Sequence, residues 1–182
     1  MLGIVFTEFM EMVEDKFSAE VLDEVLDTPG LSSDGAYTAV GYYDHTDMIR
    51  MVVALSKIVD LPVDDLVEAF GQHMFSILSG KYPALIAGEV SSMDVLESID
   101  TAVHREVIKL YPHAELPEFK CDRHGENHLT MHYRSKRPFS RLALGLMKGC
   151  AEHFSETLDI QYSSHESDGY HMTEFEVHRI DD

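Results

Sequence analysis

Basic residues are scarce in this chain. Of its 182 residues, 14 are Lys or Arg against 33 Asp or Glu, a formal charge of −19. A surface of that sign repels nucleic-acid phosphates and anionic membranes, so neither is expected as a partner, and a protein with a basic patch is the better match. No apolar run approaches the roughly 20 residues that a spanning helix needs. Cysteine is limited to Cys121 and Cys150, without metal-type spacing, which predicts free thiols of a reducing cytoplasm rather than a disulfide framework. The start, Met1-Leu2-Gly3-Ile4-Val5-Phe6, lacks a basic leader and runs into Glu8 and Glu11, so no signal peptide is expected. The motifs G-x-S-x-G, H-E-x-x-H, the P-loop and the glycine-rich dinucleotide fingerprint are also absent, and the chain is not expected to be an enzyme.

What is present supports a sizeable core: 45% of residues are hydrophobic. The length fits one domain, or one domain with two lobes. The first two-thirds carries helical periodicity. Residues 3–17 place Val5, Phe6, Phe9, Met10, Val13 and Phe17 at three- and four-residue spacings. A short helix is predicted over 18–27 behind the cap Ser18, another from Asp44 or Thr46 to Val59, and a third from the 61–65 stretch to about Leu78. Ser91-Ser92-Met93-Asp94 reads as a capping box opening a helix that runs to about Leu110. Beyond Tyr111-Pro112 the period changes to two. His128–Tyr133 alternates, with Leu129, Met131 and Tyr133 on one face; a helix is predicted over 139–156 and strands over 158–164 and 170–179.

Two features carry chemistry. In an extended strand Tyr133, Ser135 and Arg137 stand in one row, a phenol, a hydroxyl and a guanidinium, suited to carboxylates or phosphates. Pro138 biases Arg137 toward extended backbone, so the row should persist to its last member. The commoner origin of such a row is a solvated strand edge. The second feature is His104, on the flank of a predicted stripe of Val95, Ile99, Val103 and Leu110, with Asp100 one turn back to hold its ring. A histidine so placed is either a satisfied interior group or an axial metal ligand.

Together these features resemble the haem nitric oxide/oxygen binding (H-NOX) family, related to the haem domain of soluble guanylate cyclase. The resemblance runs along essentially the whole chain: the start Met1–Val5, Phe70-Gly71-Gln72, His104, Leu116-Pro117, the full pattern Tyr133-x-Ser135-x-Arg137, and the Phe139–Phe154 stretch. It implies an α+β fold over 1–182, with a helical lobe (about 1–62) packed on a lobe (about 63–182) bearing helices and a four-stranded antiparallel sheet, haem b (Fe protoporphyrin IX) between them. It implies that His104 is the proximal iron ligand, that Tyr133, Ser135 and Arg137 bind the propionates, and that Pro117 presses on the porphyrin. A strand-start proline is the plainer account of Pro117.

In the family, oxygen binders carry a distal tyrosine five residues after the signature arginine. Here that position is Leu142, and the two supporting positions are Phe9 and Met74. Val5, Leu78 and Leu146 complete the expected apolar wall. Such a pocket implies a cytoplasmic sensor of nitric oxide (with carbon monoxide as a further ligand) that excludes stable dioxygen binding. The implied output is release of the proximal His104 and lobe movement, read by a separate effector: a histidine kinase, a cyclic-di-GMP enzyme or a chemotaxis receptor. The alternatives are an oxygen-binding haem sensor and a non-signalling haem- or metal-binding interaction module. A zinc site like that of some relatives lacks its cysteines in 163–171, leaving a weak surface metal site among His124, His128, His132, His165 and His171 as the residual metal reading.

Overall fold

The structure, a computed structural model, describes residues 1–180. Among them lie seven α-helices and one four-stranded antiparallel sheet, an α+β fold as expected. No described helix is long and apolar enough to cross a membrane. The chain divides into two compact units, Met1–Phe70 and Gly71–Asp182.

The first unit holds α1 (Gly3–Lys16), α2 (Ala19–Leu26), α3 (His45–Val59) and the start of α4 (Val63–Lys81). Its helices begin where the caps are. The Ser18 hydroxyl accepts from the Val21 N–H, and the Asp44 carboxylate accepts from the Thr46 N–H. The buried α1 face carries Phe6, which stacks on Tyr37 at 4.5 Å, and Phe9, edge-on to Phe70 at 5.3 Å.

Asp47, fully buried, ties the 30–37 loop to α3. Its carboxylate accepts from the Ser32 N–H (3.0 Å), the Ser32 hydroxyl (2.5 Å) and the Tyr37 hydroxyl (3.1 Å), and pairs with Arg50 at 3.2 Å. Burial acts to raise the Asp47 pKa, but the bonds from Ser32 and Tyr37 outweigh it and hold the group below the usual carboxylate range. A hydrogen bond to a charged group contributes roughly 1.5–3 kcal/mol, so Asp47→Ala should destabilise the protein by at least about 3 kcal/mol in urea titration. Because the folded pKa is the lower one, the stabilisation from Asp47 is present above the unfolded value and lost as pH falls through the folded one.

The second unit contains the remainder of α4, a 3₁₀ turn (Pro83–Ile86), α5 (Ser92–Glu97), α6 (His104–Leu110), β1 (Glu118–Arg123), β2 (His128–Ser135), α7 (Ser140–His153), β3 (Thr157–Ser167) and β4 (Tyr170–Ile180). Sheet order is β1-β2-β4-β3, with α7 inserted between β2 and β3. Asp168 and Gly169 both take positive φ, the two-residue turn whose twist matches a hairpin. The core joins Leu129, Met131, Tyr133, Phe175 and Val177 of the sheet to Met93 and Leu96 of α5 and Ala143, Leu144 and Met147 of α7. Both thiols are free, and burial pushes each up to about 12, so they are protonated and inert.

Several boundaries differ from expectation. The helix predicted to run from Ser92 to Leu110 is interrupted by a π-helical turn, Ile99–Val103, in which the His104 N–H reaches back to the Ile99 carbonyl. Each extra residue rotates the following face by about 100°, so the predicted stripe does not survive the turn: Val95 is buried, but Leu110 is exposed. Helix α4 extends to Lys81, three residues past Leu78. Strand β1 has weak alternation, with only Phe119 fully buried, and its periodicity alone did not mark it as a strand.

Candidate functional site

His104 opens α6 at the end of the π turn. Its Nδ1 lies 2.7 Å from Asp100 Oδ1, and Asp100 Oδ2 accepts the Phe119 N–H at 2.8 Å. One carboxylate therefore fixes the imidazole and the first residues of β1 together. A carboxylate only accepts, so Nδ1 carries the proton and Nε2 presents its lone pair. The side chain is 16% exposed. Burial holds the His104 pKa below the ordinary histidine range, with Asp100 opposing, so the ring is neutral at pH 7. A neutral imidazole with Nδ1 anchored and Nε2 available is the form a metal requires. Pro117 is half-buried, directly before β1 and two residues from the Phe119 N–H that Asp100 holds.

The row of Tyr133, Ser135 and Arg137 converges, but not as an extended strand. Strand β2 ends at Ser135, and the backbone bends through 136–138. The reason is local: the Ser135 hydroxyl accepts the Arg137 N–H at 3.0 Å, closing a Ser turn that competes with the ladder. The turn brings the Arg137 carbonyl to the Tyr133 hydroxyl, which donates to it at 3.4 Å. Tyr133 is 2% exposed, and burial pushes its phenol up, so it is a donor throughout the physiological range. The Arg137 side chain is 17% exposed. It bonds the Glu115 carbonyl at 3.3 Å and contacts the Glu115 carboxylate, a side chain that is itself 79% exposed. The guanidinium thus already engages one carboxylate, from an exposed surface residue, and the donors around it are those that a carboxylate-bearing ligand needs.

Helix α7 turns Ala143, Leu144 and Met147 to the sheet, leaving Leu142 and Leu146 as a half-buried stripe one turn apart. Helix α4 meets α7 there at backbone distance. A Cβ on Gly71 would lie 2.5 Å from the Leu142 carbonyl oxygen, and one on Gly149 would lie 2.9 Å from the Gln72 carbonyl oxygen. Met74, buried, and Leu78, half-buried, lie further along α4 from that crossing. Val5, half-buried, and Phe9, buried, sit on α1 in the first unit.

Haem is the group that an Nε2 lone pair and a carboxylate cradle would jointly fit. His104 would offer a nitrogen ligand, and Tyr133, Ser135 and Arg137 two hydroxyls and one cation for acidic side arms.

The five histidines singled out from the sequence do not form one site. His165 and His171 lie near the β3–β4 turn, whereas His124 and His128 lie at the far end of the sheet, their rings 4.7 Å apart. There His128 meets Glu176 and His178, two residues that sequence reasoning missed. Their signal was the alternation Glu174-x-Glu176-x-His178, which becomes legible only once the β2–β4 register is known.

Comparison with known proteins agrees with this architecture. The haem-NO-binding family model matches residues 2–162. The structure of the Fe(II) unliganded H-NOX protein from K. algicida superposes with a TM-score of 0.92 at 37% identity, covering 100% of this chain and 98% of that one. The H-NOX from Shewanella woodyi, solved in the Fe(II)CO state with IWP-051 bound, gives a TM-score of 0.82 at 44% identity over 99% of this chain and 95% of that one. Soluble guanylate cyclase gcy-37 of Caenorhabditis elegans is 25% identical over 87% of this chain and 22% of its own length, so the chain spans about a fifth of that relative. On a family match of this extent and a fold shared end to end with H-NOX structures, the chain belongs to the haem-NO-binding family of haem-binding gas-sensor domains.

Proposed function

We propose that this protein senses nitric oxide through haem b, with His104 as the axial ligand and Tyr133, Ser135 and Arg137 as the propionate anchors. The observation that carries the reading is the neutral, Asp100-anchored imidazole in the same unit as that donor triad. Bound there, haem iron would supply a coordination position for a diatomic gas. The chain's own part is to hold and release. Asp100 orients the imidazole, and its second oxygen secures β1 just after Pro117. The π turn leading into His104 is a rare register, and such turns are common at functional sites. Release of the imidazole would leave that turn free to relax, moving α6 relative to Asp100. In this reading the output passes to a separate effector, a histidine kinase or a cyclic-di-GMP enzyme, whose activity in a reconstituted mixture should change with nitric oxide.

Choice of gas rests on the side chains assigned to the distal side. None of Val5, Phe9, Met74, Leu78, Leu142 and Leu146 carries an N–H or O–H group, and bound dioxygen, with its partial negative charge, needs such a donor whereas nitric oxide and carbon monoxide do not. The test is an absorption spectrum of the reduced, haem-loaded protein without oxygen, then with nitric oxide, then in air. A shift with nitric oxide and no stable new species in air is expected. Leu142→Tyr, which adds a phenol donor, should then produce an air-stable species. A stable new species formed by the unmodified protein in air, and reversed when oxygen is removed, would refute the assignment of gas.

A further inference from the structure

We propose that His128, Glu176 and His178 form a binding site for a divalent first-row transition metal of the zinc class, on the face of the sheet away from its core. His128 of β2 stands directly opposite His178 of β4, and Thr130 directly opposite Glu176. Opposed side chains on one face of an antiparallel pair are held about 4.5–5.5 Å apart at Cβ. The neighbouring positions Leu129 and Val177 point into the core, so the histidines and the glutamate necessarily share the other face.

The distances agree with that placement. One ligand atom from each of the three residues lies within 4.8 Å of the others. His128 Nε2 is 2.7 Å from Glu176 Oε2, and the His128 and His178 rings stack at 4.1 Å. Zinc ligands at about 2.0–2.2 Å in a tetrahedron stand roughly 3.3–3.6 Å from one another. All three side chains are at least partly solvent-accessible and can adjust toward that spacing, the His128–Glu176 pair opening from 2.7 Å. The donor set of two imidazoles and one carboxylate is borderline between hard and soft, which favours zinc or copper over magnesium or calcium.

The site also has an outer layer. The Thr130 hydroxyl, itself buried, lies 3.2 Å from both Glu176 oxygens and 2.8 Å from His124 Nε2. Thr130 is therefore a positioning residue: it fixes the carboxylate from below while His128 engages it from the side. Ligand carboxylates in metal sites commonly have such a partner. The carboxylate of Glu176 meets His128 directly, and the His178 ring stacked on His128 brings a second nitrogen donor to the same place. Three protein ligands leave a fourth position for water, or for His124 in the adjoining turn.

The test uses the haem-loaded full chain without a polyhistidine tag, titrated with Zn²⁺ against a chromophoric chelator. One zinc per chain is expected to compete. His128→Gln and His178→Gln should each lose that competition, whereas the double variant His165→Gln/His171→Gln, at the other end of the sheet, should keep it. Thr130→Val should weaken binding by about 10- to 100-fold. The unmodified protein loaded with one Cu²⁺ should show electron-paramagnetic hyperfine coupling to two or three imidazole nitrogens, a readout that needs no variant. Failure to compete with the chelator, competition retained by His128→Gln/His178→Gln, or a copper spectrum without nitrogen coupling would overturn the site.

Discussion

His104→Gly should uncouple the protein from its gas. Grown without additives, the variant is expected to retain haem poorly; supplied with free imidazole, it should recover haem but no longer transmit ligand binding to the polypeptide. The reason lies in how His104 is attached. Its imidazole is tethered to the backbone of α6 at one end and to Asp100 at the other, and Asp100 also holds the first residues of β1. A free imidazole can fill the same space and offer the same lone pair, yet it pulls on nothing when it leaves. Amide hydrogen exchange over 99–110 is the measurement. In the unmodified protein, nitric oxide should accelerate exchange in the π turn and α6, the segment that carries His104. In the rescued variant that acceleration should vanish. An unchanged response there would refute His104 as the transmitting residue and would leave the haem assignment standing.

Much of this site could be read from the sequence because its determinants are local. Asp100 and His104 are four residues apart, a spacing that places side chains on one helix face, and the pair forms despite the intervening π turn. Tyr133, Ser135 and Arg137 also come together as expected, but by a different route. Alternation predicts a straight row; the Ser135 hydroxyl instead captures the Arg137 N–H and bends the chain. Period-two reasoning has no term for a side chain that competes with the ladder for a backbone donor. The π turn was invisible for a related reason. One inserted residue leaves the apolar composition of the segment unchanged and alters only the phase of the helix beyond it, so Leu110 looked as well suited to the core as Val95. The histidine and glutamate cluster was hidden more completely, since His128 and His178 are fifty residues apart in the chain and become neighbours only through the pairing of β2 with β4.

Arg137→Ala should reduce haem retention far more than the loss of either hydroxyl beside it. Hydrogen bonds to a carboxylate contribute roughly 1.5–3 kcal/mol each, and Arg137 can make two of them and add its own charge, whereas each hydroxyl makes one. A guanidinium offering two parallel N–H groups to a carboxylate is therefore expected to contribute about 3–5 kcal/mol, which corresponds to a hundredfold or more in haem transfer to an acceptor protein. Ser135→Ala and Tyr133→Phe each remove a single such bond and should each cost about tenfold, with Tyr133→Phe keeping the buried ring and its edge contact to Phe119 at 5.4 Å. Arg137→Lys should recover only part of the loss, because an ammonium cannot reproduce the planar fork. Glu115 sharpens the comparison. It contacts the same guanidinium but is mostly exposed, and exposed ion pairs contribute at most about 1 kcal/mol. Glu115→Gln should thus raise haem retention by no more than about fivefold, by removing a weak competitor. Comparable losses for Arg137→Ala and Ser135→Ala would mean that the guanidinium serves the Glu115 contact alone, and the propionate role would pass to the hydroxyls.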